Sequence, residues 1–143
     1  METLAVYLAD FSDLDSAFKR IAESRTYSFQ DGERPNRPFD SSVLLASTAH
    51  KADGANDQCY LLVGLLHNCS LSEDRHVLSF SGVRRFIIPI VVSSEASSAR
   101  RTDLLGGVMG WGPQPLAYLP EGAAERTLVE ALSELRPRKP PRD

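Results

Sequence analysis

Apolar positions fall along this chain in two rhythms, each marking a different kind of element. Thr3 to Ala9 is a short apolar run containing Val6 and Tyr7 and stopped by Asp10, the pattern of a strand. Behind it Leu14, Ala17, Phe18, Ile21 and Ala22 recur at three-and-four spacing, which predicts an amphipathic helix from Asp13 to Ser24. Asp10 or Ser12 stands where a cap is needed. Asp13 and Asp15 at the helix start and Arg25 at its end complement the helix dipole.

Gln30 to Asp40 breaks both rhythms with Gly32, Pro35 and Pro38 and reads as a surface loop. Ser42 to Thr48 gives a second strand, and the polar stretch Lys51 to Asp57 is the turn of a hairpin to Cys59 to Leu66. That third run is continuously apolar, which means a strand buried on both faces, with a short buried helix as the alternative. His76 to Ser81 alternates and Arg84 to Val92 follows after Gly82, so these two are expected to pair. Pro89 cannot donate to a ladder, so it demands an edge, a bulge or a one-sided partner there. Ser93 to Leu105 reads as a short helix ended by Gly106-Gly107, and a Gly/Pro-rich link and a short strand, Leu116 to Leu119, come next. A last helix, Glu121 to Leu135, sets Ala124, Leu128, Ala131, Leu132 and Leu135 on one face and is stopped by Pro137.

The order of elements predicts an α+β fold: a mainly antiparallel sheet of about five or six strands packed by two or three helices. A strand and helix come first and a helix comes last. The expectation is one compact domain over residues 1–135, with a split sheet carrying its helices on one face. The basic, Pro-rich segment 136–143 has no apolar residue to dock and is expected to be a disordered tail.

Composition narrows the class. With 42% hydrophobic and 24% charged residues the chain can bury a core, and a net charge of -3 gives no broad positive field for nonspecific nucleic-acid binding. Positive charge comes from Arg except at Lys19, Lys51 and Lys139. Two cysteines are too few for a disulfide scaffold. The acidic start, Met1-Glu2-Thr3, is unlike a signal peptide, and the longest apolar runs are far below the roughly 20 residues that cross a bilayer. A soluble, cytoplasmic protein with no membrane role is the expectation; the sequon Asn68-Cys69-Ser70 would then never meet its enzyme.

Candidate chemistry is sparse. Cys59, His67, Cys69 and His76 are zinc-type ligands, but their spacing lacks the tight knuckles of closed sites. Cysteines of this kind usually serve as small buried hydrophobes. The glycines from Gly106 to Gly112 form neither a Walker loop nor a dinucleotide fingerprint, so no cofactor is expected. Trp111, with Met109 beside it, is either a core residue or an aromatic anchor for a partner. No nucleophile elbow is present, and isolated His50 has no second catalytic group beside it. Arg84-Arg85 and Arg100-Arg101 could line a phosphate-binding edge, or supply the charge that keeps an edge strand from aggregating. Pro137, Pro140 and Arg142 match a Pro-x-x-Pro-x-Arg ligand pattern.

These readings favour a small non-catalytic protein-binding module, of adaptor, inhibitor, immunity or chaperone type, whose partner is another protein. It should expose an apolar patch. One alternative is a small enzyme or ligand-binding protein assembled from distant residues such as His50, His67, His76 and Arg85. Another is nucleic-acid binding through the Arg pairs.

Overall fold

The computed structural model describes residues 1–30, 32–50, 58–94, 116–119 and 121–133. Its strands are β1 (Thr3–Asp10), β2 (Thr26–Ser28), β3 (Val43–His50), β4 (Gln58–His67), β5 (Ser70–Leu71), β6 (Val77–Ser79), β7 (Gly82–Ser94) and β8 (Leu116–Leu119). Two α-helices, α1 (Leu14–Ser24) and α2 (Ala123–Ser133), complete the described elements together with a 3-10 turn, Phe11–Asp13. The fold is α+β, as the order of elements predicts, with two of the expected two or three helices among the described residues.

Five strands form one mixed sheet in the order β7-β4-β3-β1-β8; only β1 and β3 run parallel. A parallel neighbour needs a crossover, and α1 lies in the connection from β1 to β3. The antiparallel pairing of β3 with β4 is what a hairpin requires, although its turn, Lys51 to Asp57, lies outside the described residues. A small second sheet, in the order β2-β6-β5, is antiparallel throughout. This corrects the expected pairing of the two segments around Gly82: β6 pairs with β2 and β5, and Gly82 opens β7, which pairs with β4. The segment expected to be helical from Ser93 still belongs to β7 through Ser94, and the rest of it lies outside the described residues.

Leu61 to Leu66 of β4 are all buried, the double-faced burial that the continuous apolar run predicts. Side chains alternate across the sheet, so its two faces feed two clusters. Leu4, Val6, Val43, Leu45, Leu61 and Val63 pack with Leu14, Phe18 and Ile21 of α1 and with Phe29, Leu78 and Phe80 around the small sheet. Ala5, Leu44, Ala46, Leu62, Leu65 and Phe86 pack instead with Ala123, Ala124 and Ala131 of α2. The helices therefore lie on opposite faces of the sheet, not on one. Each face of a sheet buried on both sides must find its own cover. Leu128 packs partly against the α2 cluster, but Leu132, expected on the buried face, is 45% exposed.

Helix α1 starts through the 3-10 turn, so its N-cap is Asp13 rather than the expected Asp10 or Ser12, and Asp13 makes no side-chain capping bond. Arg25 closes it in the left-handed region at φ 58°, its N–H bonded to the Ile21 carbonyl at 2.8 Å, and its guanidinium donates to the Ser81 carbonyl. Among the described residues strand β7 is a sheet edge, and its register against β4 jumps between Ile90 and Arg85. Pro89 sits inside that jump, as a residue without an N–H requires.

Candidate functional site

The small sheet and α1 together shape a groove on one face of the large sheet. Tyr27 and Phe29 point from β2 toward the core with their rings edge to face at 5.0 Å, and the Tyr27 hydroxyl donates to the Tyr7 carbonyl at 2.8 Å. That carbonyl sits at a β-bulge. Tyr7 pairs with Ala46 and Ala9 with Ser47, so Leu8 is an extra residue in β1, and the Ser47 hydroxyl donates to the Ala9 carbonyl at 2.6 Å. Bulges are uncommon in parallel pairs and re-aim side chains beside functional sites. Leu8 here borders both halves of the groove.

One half, about 330 Å³, is lined by Tyr7, Leu8, Tyr27, Ser28, Phe29, Gln30 and Glu33. The other, about 380 Å³, is bounded by Leu8, Ala17, Arg20, Ile21 and Ser24 with the same stretch of β2. Both are open and sit near the small end of the range of about 300–1,000 Å³ for ligand sites. Burial, and after it the Glu33 carboxylate, push the Tyr27 phenol up to about 12, so it stays a neutral donor. Glu33 makes no ion pair among the described residues.

The wall formed by β2 is an open sheet edge, since β2 pairs with β6 on one side alone among the described residues. The Phe29 N–H donates to the His76 carbonyl and the Phe80 N–H to the Arg25 carbonyl, so the Arg25 carbonyl and the backbone polar groups of Tyr27 and Phe29 turn toward β6. By the alternation of an antiparallel ladder, Thr26 and Ser28 turn theirs outward. Ser24 Oγ occupies the Thr26 N–H and carbonyl at 3.3 and 3.2 Å. Ser28 is left with an N–H and a carbonyl that have no ladder partner among the described residues, and it lines both halves of the groove.

Those residues singled out by sequence whose side chains are described do not gather here. Cys59 and His67 stand at opposite ends of β4, eight residues apart and so about 26 Å along a strand, too far to share one ion. Cys69 packs against the α1-side cluster, and its N–H donates to the Ser41 carbonyl at 2.8 Å; burial pushes its thiol up to about 12. His76 Nδ1 lies 3.2 Å from Asp74, whose carboxyl is held at about 2 by the Ser72 hydroxyl and then by His76. Among the described residues no three His, Cys, Asp or Glu side chains converge as metal ligands.

Arg85 pairs with Asp15 and lies over the Phe18 ring at 5.0 Å, on the α1 face. Arg84 is paired with Leu65 of the α2-side cluster, so the two guanidinium groups leave β7 on opposite faces. The side chains of His50 and Cys59, and Arg100, Arg101, Met109, Trp111, Pro137, Pro140 and Arg142 altogether, lie outside the described residues. Among the described residues the exposed large apolar side chains are Met1, Ile87, Val129 and Leu132; of these Val129 and Leu132 share the outer side of α2.

Tyr7, Leu8, Tyr27, Ser28 and Glu33 carry no motif that sequence reading could have flagged. The one trace is Thr26-Tyr27-Ser28-Phe29, rich in strand formers but too short to stand out. The α+β class is thus defined. No protein-family model matches the chain, and no curated protein and no solved structure matches it. No helix among the described residues is long and apolar enough to cross a membrane.

Proposed function

We propose that this protein is a small non-catalytic protein-binding module that takes an extended segment of its partner along the outer edge of β2. The carrying observation is the outward N–H and carbonyl of Ser28 on one wall of a groove whose other wall is α1 and the Leu8 bulge. Adding a strand to a sheet edge supplies main-chain hydrogen bonds for affinity, and flanking pockets read alternate side chains. The enzyme and nucleic-acid readings draw less support. His76 is engaged by Asp74, and Arg85 by Asp15 and Phe18, while Arg84 leaves the opposite face.

The test is selection of heptapeptides from a random library on the full chain, followed by amide-shift mapping of the bound complex by NMR. Shifts centred on Ser28, Gln30, Leu8 and Ala17, abolished in a Ser28→Pro variant that keeps its fold, are the expected result. Proline removes the outward N–H without touching the bonds to β6. Selected peptides that map instead to Val129 and Leu132 on α2, or that bind Ser28→Pro equally well, would overturn the reading.

A further inference from the structure

Resting on that edge-binding reading, we infer that the groove selects an extended segment carrying a basic side chain two residues away from an aliphatic one. The basic group meets Glu33, and the aliphatic group seats against Leu8, Ala17 and Ile21. The spacing follows from the ladder. A residue hydrogen-bonded opposite Ser28 points its side chain to the outer face, as Ser28 does, so its two neighbours both point inward. These are about 6.8 Å apart. Inward from Ser28 lie the two concavities, which share Leu8, Tyr27 and Ser28 as their common ridge.

The two halves differ in charge. The first holds the half-buried Glu33 beside Tyr7, Tyr27 and Phe29, an acidic group without an ion pair among the described residues. The second has an aliphatic floor of Leu8, Ala17 and Ile21 with Arg20 on its rim. Arg20 repels a basic side chain from that half, and Glu33 repels an acidic one from the other. Specificity thus has both an attractive and a repulsive component, which sets one register along the edge. The occupant is a peptide segment; neither half presents the paired cations that a phosphate backbone would need.

The probe is an end-capped heptapeptide, Ser-Thr-Lys-Thr-Val-Thr-Ser, compared with peptides carrying Glu or Leu in place of its Lys. Fluorescence anisotropy on the full chain is expected to rank the Lys peptide about tenfold above the Glu peptide at low salt, with the Leu peptide between them. In Glu33→Lys the order should invert, and thermal melts of the variant verify its fold. Equal affinities for the three peptides with shifts still centred on Ser28 overturn the charge selection and leave edge binding standing. Shifts at Ser28 from none of the three peptides count against edge binding and remove the selection with it. An unchanged ranking in Glu33→Lys assigns the preference to another residue and refutes the role of Glu33.

Discussion

Gly64 sits where β4 bulges, and replacing it with alanine tests how tightly the sheet and α1 are fitted together. Val63 is the extra residue of that bulge, since Leu45 pairs with Gly64 and Ala46 with Leu62. A methyl group on Gly64 would stand 2.7 Å from the Arg84 carbonyl oxygen and 2.9 and 3.0 Å from the tip of the Phe18 ring. The ring can tilt, but the carbonyl belongs to the β4–β7 ladder and cannot move without breaking it. Overpacking of this kind costs about 1–3 kcal/mol. The backbone at Gly64 is not in the left-handed region, so alanine also gains about 0.4–1 kcal/mol by restricting the unfolded chain. The net expectation is a loss of about 1–2 kcal/mol. At a urea dependence near 2 kcal/mol per molar, the unfolding midpoint falls by about 0.5–1 M. Far-UV circular dichroism in urea measures it, and the double variant Gly64→Ala with Phe18→Leu separates the two contacts. If the ring contact dominates, the double variant loses less than the sum of the singles. An unchanged or raised midpoint for Gly64→Ala alone would refute the close approach.

Three further outcomes follow from buried polar groups. The Thr3 hydroxyl is fully buried with no hydrogen-bond partner among the described residues, so Thr3→Val is expected to raise the thermal midpoint by about 3 °C; a fall would show that the hydroxyl is bonded. The Cys69 thiol, pushed up to about 12 by burial, should react with a thiol reagent at pH 8 far more slowly in the native protein than in urea. A Cys59→Ser background isolates it, and equal native and unfolded rates would contradict its burial. The Tyr27 phenol is raised from 10.0 to about 12, so its contribution is complete below pH 10 and lost as pH rises through 12. Unfolding curves from pH 9 to 12 should therefore show the wild type losing more stability than Tyr27→Phe, and parallel losses would sink that assignment.

Both described α-helices and six of the eight strands were legible in the sequence, because a helix face and a buried strand each leave a period in the order of apolar residues. Phe18 and Ile21 of α1 and the unbroken apolar run of β4 are where that legibility is strongest. The same run shows that both faces of the sheet need cover, without saying which element supplies it on either side. Periodicity says which side of a helix is greasy, not which face of the sheet it meets. That choice, the parallel placing of β1 beside β3, and the pairing of β6 with β2 rather than β7 come from contacts between residues distant in the chain.

The groove was illegible for the same reason. Three-residue β2 and two-residue β5 are too short to carry a period, and Leu8 reads as one more apolar residue of β1 until the register with β3 shows it to be extra. Ser28 gains its open N–H and carbonyl only because Tyr27 and Phe29 turn theirs to β6. The order of residues thus determined what could be helix, strand and core. Which backbone groups are left facing outward was decided by tertiary pairing, since hydrogen-bond direction in a strand depends on the partner and not on the side chains.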